Sequence, residues 1–259
     1  DGSWRIEDYA LTSTGLRQDL TSKARRYSVL RNMNPAKRNA LQKDTGYRQL
    51  NSTVTPGTPE MWAGIDAHFT GGTQKILTVG GTDAYLFVPG TRSFTAQSQS
   101  LANARPTLLM FQNEVILLNG TQKKRWDGTN WNNLGGTPPA AKYATVHANR
   151  IVAGGDAAAP YYFYYSGVRN ANSWDTINDR VTVTTGQGED VINVASFGSF
   201  VVIQTINNTI LYRQNENNPG DWDRVDVSNI IGTTGATSYL EVTQAPLPMA
   251  VFCSTEGPF

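Results

Sequence analysis

What most restricts this chain is a unit that recurs from about residue 76 onwards: short apolar runs, separated by Gly, Asn and Asp turns, closing on an aromatic residue. The first unit reads Ile76-Leu77-Thr78-Val79, a Gly80-Gly81-Thr82-Asp83 turn, Ala84 to Val88, then Ser93-Phe94-Thr95. The second runs from Thr107 to Trp131, the third from Ala144 to Trp174-Asp175, and the fourth from Val191 to Trp222-Asp223. The closing tryptophans Trp131, Trp174 and Trp222 stand 43 and 48 residues apart. A four-stranded antiparallel blade takes roughly 40 to 50 residues. The spacing therefore predicts an all-β fold of successive propeller blades, with the three tryptophans near the outer edges of their blades.

The apolar runs sharpen that expectation. Val115-Leu118, Val201-Ile203 and Tyr161-Tyr165 are apolar or aromatic at consecutive positions, whereas a half-solvated sandwich strand would alternate. Inner strands of a propeller are covered on both faces by neighbouring blades, which suits such runs. A β-sandwich shares the strand text and stays as the alternative. A fifth unit starts near Ser238 to Val242 and Ala250 to Cys253, and the pattern stops within it. The expectation is a partial or open β-propeller of about four to five blades over residues 61–259, its ring completed by further chain or by another polypeptide.

Residues 1–60 read differently, as an extended basic N-terminal segment and connector. Leu16, Leu20, Ala24, Tyr27 and Leu30 recur at helical steps, but Thr21-Ser22 and Ser28-Val29 favour helix weakly. Extended segments with one short helix are expected, with Asn34-Pro35 as a boundary. The turn-rich stretch from Asn51 to Pro59 then leads into the blades. Charge is uneven. Between Arg17 and Arg48 nine basic residues face only Asp19 and Asp44, a local +7; the other thirteen basic and nineteen acidic residues leave −6 elsewhere. Such an arm suits an acidic neighbour, either another subunit or a nucleic acid, although a solvated surface would carry the same residues. The candidate contact residues are Arg17, Lys23, Arg25, Arg26, Arg31, Lys37 and Arg38.

Several chemistries find no support. The single cysteine, Cys253, permits no internal disulfide and no CxxC metal site. No apolar run approaches the roughly 18 residues that a membrane helix needs, and no membrane partner is expected. Of the two histidines, His68 sits in no motif, and His147 reads as a structural residue in a turn with Ala148-Asn149. The Gly-rich pieces join strands and do not open helices, so they cradle no phosphate. Asp127-Gly128-Thr129-Asn130-Trp131 resembles a sialidase Asp-box but lacks that motif's residue between Asp and Gly, and Asp127-Gly128 reads as a hairpin turn. Trp126-Asp127, Trp174-Asp175 and Trp222-Asp223 lack the Gly-His partner of WD40 repeats. Neither catalytic residues nor a metal or cofactor are expected. Alternation along Tyr161 to Tyr165 puts Tyr161, Phe163 and Tyr165 on one face and Tyr162 and Tyr164 on the other. Inter-blade packing is the preferred account of that run, with stacking of sugars or bases as its rival.

Some of the text is familiar. Gly15-Leu16 precedes Leu30-Arg31-Asn32-Met33 and then Ala40-Leu41-Gln42-Lys43-Asp44-Thr45-Gly46-Tyr47-Arg48. This resembles the opening of the tail hub or nozzle proteins (tail tubular, head-stabilisation) of short-tailed bacteriophages. Asn218-Pro219-Gly220-Asp221-Trp222, followed by Ser238-Tyr239-Leu240-Glu241, is similar to their mid-propeller text. The resemblance spans roughly residues 15 to 241. It implies a structural, non-enzymatic component of the virion tail, a propeller in a ring of identical subunits around the DNA exit channel. Its implied partners are neighbouring virion proteins (adaptor, portal, tail fibres) and, transiently and without sequence preference, DNA. A carbohydrate-binding or glycan-cleaving propeller is the alternative.

Overall fold

The computed structural model describes residues 55–57 and 59–233 with side chains, apart from 186–187, 215–217 and 229–230, and describes several further strands by backbone alone. Contacts group the chain into two units, Asp1–Leu50 and Asn51–Phe259. Among its described residues the first holds two short antiparallel pairs. Strand β1 (Leu11–Thr12) pairs with β2 (Gly15–Leu16), and β3 (Met33–Lys37) pairs with β4 (Ala40–Lys43). Strand β3 runs through Asn34-Pro35, where a boundary was expected. Its register shifts between Asn34 and Lys37, the kind of irregularity that accommodates a residue without an N–H. Of the helical spacing from Leu16 to Leu30, Leu16 ends strand β2 and the other positions lie outside the described residues.

The second unit is a succession of antiparallel meanders, each with its strands in chain order across the sheet. The first blade comprises β5 (Met61–Phe69), β6 (Thr73–Gly80), β7 (Asp83–Val88) and β8 (Ser93–Ala96). The second comprises β9 (Thr107–Phe111), β10 (Glu114–Leu118), β11 (Lys123–Trp126) and β12 (Trp131–Asn133). The third comprises β13 (Tyr143–His147), β14 (Arg150–Gly154), β15 (Tyr162–Tyr165) and β16 (Arg180–Thr182). The fourth comprises β17 (Asn193–Phe197), β18 (Phe200–Gln204), β19 (Thr209–Arg213) and β20 (Asp223–Ser228). A three-stranded sheet follows: β21 (Tyr239–Val242), β22 (Met249–Ser254, carrying Cys253) and β23 (Gly257–Pro258). Among the described residues the only helical element is the 3-10 turn Pro219–Asp221.

The sheets are propeller blades, because of how they meet. The first strands touch in sequence, β5 with β9, β9 with β13 and β13 with β17. The core lies between the blades. Leu77 and Val79 of the first blade pack with Val115, Leu117 and Trp126 of the second. Ile116 and Leu118, on the other face of β10, pack with Ile151, Ala153 and Tyr164 of the third. Val152 and Phe163 then pack with Val201, Ile203 and Tyr212 of the fourth. Strand alternation thus sends neighbouring residues of one strand into two different interfaces. That is why Val115-Leu118 and Val201-Ile203 are apolar throughout. They lie on the second strand from the axis, almost wholly buried on both faces.

The tryptophans sit where the third strand leads to the fourth, one per interface, but not at equivalent registers. Trp131 opens β12 and pairs with Trp126, which pairs with Val115. Along the corresponding path in the fourth blade, Val201 pairs with Tyr212 and Tyr212 with Arg224, so Trp222 falls two residues early. Trp174 belongs to the long β15–β16 connection. The 43- and 48-residue spacing counts these unequal loops as well as the strands. Tight turns join the first two strands of the second and third blades. Gln112-Asn113 and Ala148-Asn149 have φ of 49°, 66°, 50° and 56°, the two-residue turn whose twist matches a hairpin.

Candidate functional site

The first strands of the second, third and fourth blades border an open axial cavity of about 900 Å³. The fold brings a residue to it from each blade's entry point. Arg105 stands two residues before β9 and Lys142 one residue before β13, and both are solvent-exposed. Further along the strands the lining is neutral, with Thr145 on β13 and Asn193 and Ser196 on β17. The lining contains no carboxylate, and neither cation has an acidic partner among the described residues. The Lys142 stem lies across Gly120, so close that a Cβ built there would stand 3.0 Å from its Cγ and 3.2 Å from its Cε. Gly120 has φ of +84°, a conformation suited to glycine. Thr107 Oγ1 donates to the Lys142 carbonyl at 2.7 Å, and the Gly120 N–H donates to the Ala141 carbonyl at 2.9 Å, so the second and third blades are tied together at the mouth.

At the far end of β13, the His147 Nδ1 lies 2.8 Å from the Ser196 hydroxyl. The ring is buried and meets Trp222 edge to face at 5.3 Å, and among the described residues its Nε2 has no hydrogen-bond partner. Burial pushes its pKa below the ordinary histidine value, so the ring stays neutral at pH 7. A nucleophilic pair would need a third group to orient the ring. Among the described residues the Nε2 faces none, and the contact links the third and fourth blades. His68 is exposed and lies 3.4 Å from Asp66, in a different part of the unit.

Five carboxylates in the blades hold turns and connections. Asp127 accepts from the Thr129 and Asn130 N–H groups at 2.8 and 2.7 Å, bonds that hold its carboxyl below the usual range. This is a side-chain-capped turn at Asp127-Gly128. Asp175 does the same for Ile177 and Asn178. Asp83 receives the Ser98 and Gln99 N–H groups, and Asp156 those of Ala140 and Ala158. Glu189 gathers Thr205, Asn207 and Asn208. Burial would raise its carboxyl, but these donors together outweigh burial and hold it lower. Among the described residues no group of three or more His, Cys, Asp or Glu could hold a metal ion.

The tyrosine run is inter-blade packing with one exposed end. Tyr162 and Tyr164 pack towards the second blade and Phe163 towards the fourth. The Tyr165 hydroxyl donates to Asn218 Oδ1 at 2.9 Å, and the same oxygen accepts the Gly220 N–H at 3.3 Å. The Asn218 to Trp222 motif is thus a clasp on the third blade. Tyr161 is 45% exposed, and Arg180 covers Tyr162 at 4.3 Å.

Of the residues expected from sequence, Arg17, Lys23, Arg25, Arg26, Arg31 and Arg38 lie outside the described residues, and Lys37 is described only as the backbone end of β3. The axial residues Arg105, Lys142, Thr145, Asn193 and Ser196 escaped sequence reasoning. Their signal is positional: Arg105 and Lys142 each stand just before the first strand of a unit.

No protein-family model and no curated protein matches the sequence. Solved structures do resemble it. The N-terminal domain of Nup159 aligns over 86% of this chain and 61% of its own, at 8% identity and a TM-score of 0.48. YCF48 from Cyanidioschyzon merolae aligns over 84% of this chain and 74% of its own, at 14% identity and a TM-score of 0.48. Kluyveromyces lactis Hsv2 aligns over 73% of this chain, at 10% identity and a TM-score of 0.44; the chain spans 54% of its length.

Proposed function

We propose that this chain is an architectural subunit of a virion tail, a nozzle-type propeller that joins identical copies in a ring around a DNA path. The observation that carries the reading is the use of its polar side chains. Asp83, Asp127, Asp156, Asp175 and Glu189 hold turns and connections, and Asn218 and His147 tie one blade to the next. A chain that spends these carboxylates and His147 on rigidity suits a part that bears load. The nozzle-like text at Gly15-Leu16, at Ala40 to Arg48 and at Asn218 to Trp222 adds the particular setting. The +7 segment supplies the charge that such a ring needs. Its Lys and Arg side chains would hold DNA through salt-sensitive contacts that permit sliding, or would dock on carboxylates of the adjacent copy.

Electron microscopy of the purified chain, and of particles containing it, tests this. Rings with an open axis are expected, together with loss of assembly or DNA delivery on charge reversal at Arg25 and Arg26. A chain that remains monomeric and never enters particles overturns the reading. Normal assembly and delivery by the charge-reversed protein would leave the segment a solvated surface.

A further inference from the structure

The axial cavity has the composition of a binding site that the ring-forming role does not require. Its two cations enter from connectors of different blades, and among the described residues no carboxylate in the lining neutralises them. In an open, concave and partly apolar recess, charges of one sign focus their field on the space between them. Arg105 offers a planar fork of donors suited to phosphate oxygens. Lys142 offers a point charge on a stem that Gly120 lets lie flat. Beyond them, Leu108, Ala144 and Ala195 supply apolar wall, and Thr145 and Asn193 supply polar groups. A volume of about 900 Å³ falls in the range of small-molecule sites, roughly 300 to 1,000 Å³, and far exceeds a single inorganic ion.

We infer that this cavity binds a small phosphorylated molecule, its phosphate at the mouth on Arg105 and Lys142 and its body along the first strands of the third and fourth blades. The site exists only when three blades are assembled, since Arg105 and Lys142 flank the second and third and Asn193 belongs to the fourth. Occupation would therefore link the blades across the axis and raise the stability of the fold by mass action. This inference stands apart from the tail reading. A chain that forms no ring could still bind the anion, and a ring-forming chain could lack the site.

Calorimetric titration of the full chain with inorganic pyrophosphate, at low and at moderate salt, is the direct test. Saturable one-to-one binding that weakens with salt is expected, accompanied by a rise in the thermal midpoint. Loss of two charge-assisted contacts in the Arg105→Gln/Lys142→Gln protein should weaken binding by about tenfold or more. Arg105→Gln alone should weaken it less, and Arg213→Gln, at the exposed end of β19, should leave it unchanged. Both cavity positions are exposed, so unchanged urea midpoints without ligand are expected of each variant. Absence of saturable binding at millimolar pyrophosphate overturns the inference. So does binding that survives the double substitution but disappears on charge reversal at Arg25 and Arg26, which would assign the anion to the N-terminal segment.

Discussion

The alternation of faces along β10 makes a quantitative claim about which residues feel one another. Ile116 and Ile151 are fully buried in the cluster between the second and third blades, whereas Val115, the residue before Ile116, is fully buried between the first and second. Truncating a buried isoleucine to alanine costs about 2 to 5 kcal/mol, the lost transfer energy plus the cavity left behind. Ile116→Ala and Ile151→Ala hollow the same interface from both sides, so the second truncation works on packing that the first has already loosened. Their double-mutant cycle should show a coupling of roughly 0.5 to 3 kcal/mol. Val115→Ala and Ile151→Ala act on opposite sides of a sheet and should add to within about 0.5 kcal/mol. Urea unfolding followed by tryptophan fluorescence and far-UV circular dichroism measures both cycles. Equal couplings in the two cycles, or a larger one for Val115 with Ile151, would refute the face assignment and with it the radial stacking of blades.

Two further measurements probe the turns and connections. The Glu189 carboxyl is held low in the folded chain, so its contribution is fully present above its unfolded pKa and is lost as pH falls through the folded value. Stability should therefore drop on acidification below about pH 4.3, the unperturbed glutamate value, and Glu189→Gln should flatten that slope; an unchanged slope would count against the Thr205, Asn207 and Asn208 contacts. At Gln112, exposed with φ of 49°, glycine would relieve a left-handed cost of roughly 1 to 2 kcal/mol at some entropic expense. Gln112→Gly should raise stability by about 0.5 to 1 kcal/mol, and a lower urea midpoint would argue against the turn geometry.

What was readable in the sequence was what repeats within one blade. Apolar runs such as Val115-Leu118 announce strands covered on both sides, and turn pairs such as Gln112-Asn113 fall where the chain must reverse. The registers of Trp131, Trp174 and Trp222 were not readable, because linear spacing adds loop length to strand length and the β15–β16 connection is long. The axial cavity was hidden for a different reason. Arg105, Lys142, Thr145 and Asn193 come one or two at a time from separate blades, and only ring curvature brings them together. Nor does the text around His147 disclose its partner, since Ser196 lies 49 residues on.

The placement of the core between blades has a consequence for how the chain is made. Within each blade strands pair only with sequence neighbours, so a newly synthesised blade can form its hydrogen bonds at once. Its apolar side chains have no cover on the leading face until the next blade emerges. With units 43 to 48 residues apart and synthesis at about 5 to 20 residues per second, the nascent protein carries an uncovered sheet face for roughly 2 to 10 seconds per blade. Ile116 and Leu118 wait in this way for Ile151, and Val152 and Phe163 for Val201 and Ile203. The chain's greatest hazard of sticking to its own copies thus falls during translation, in a series of brief exposures.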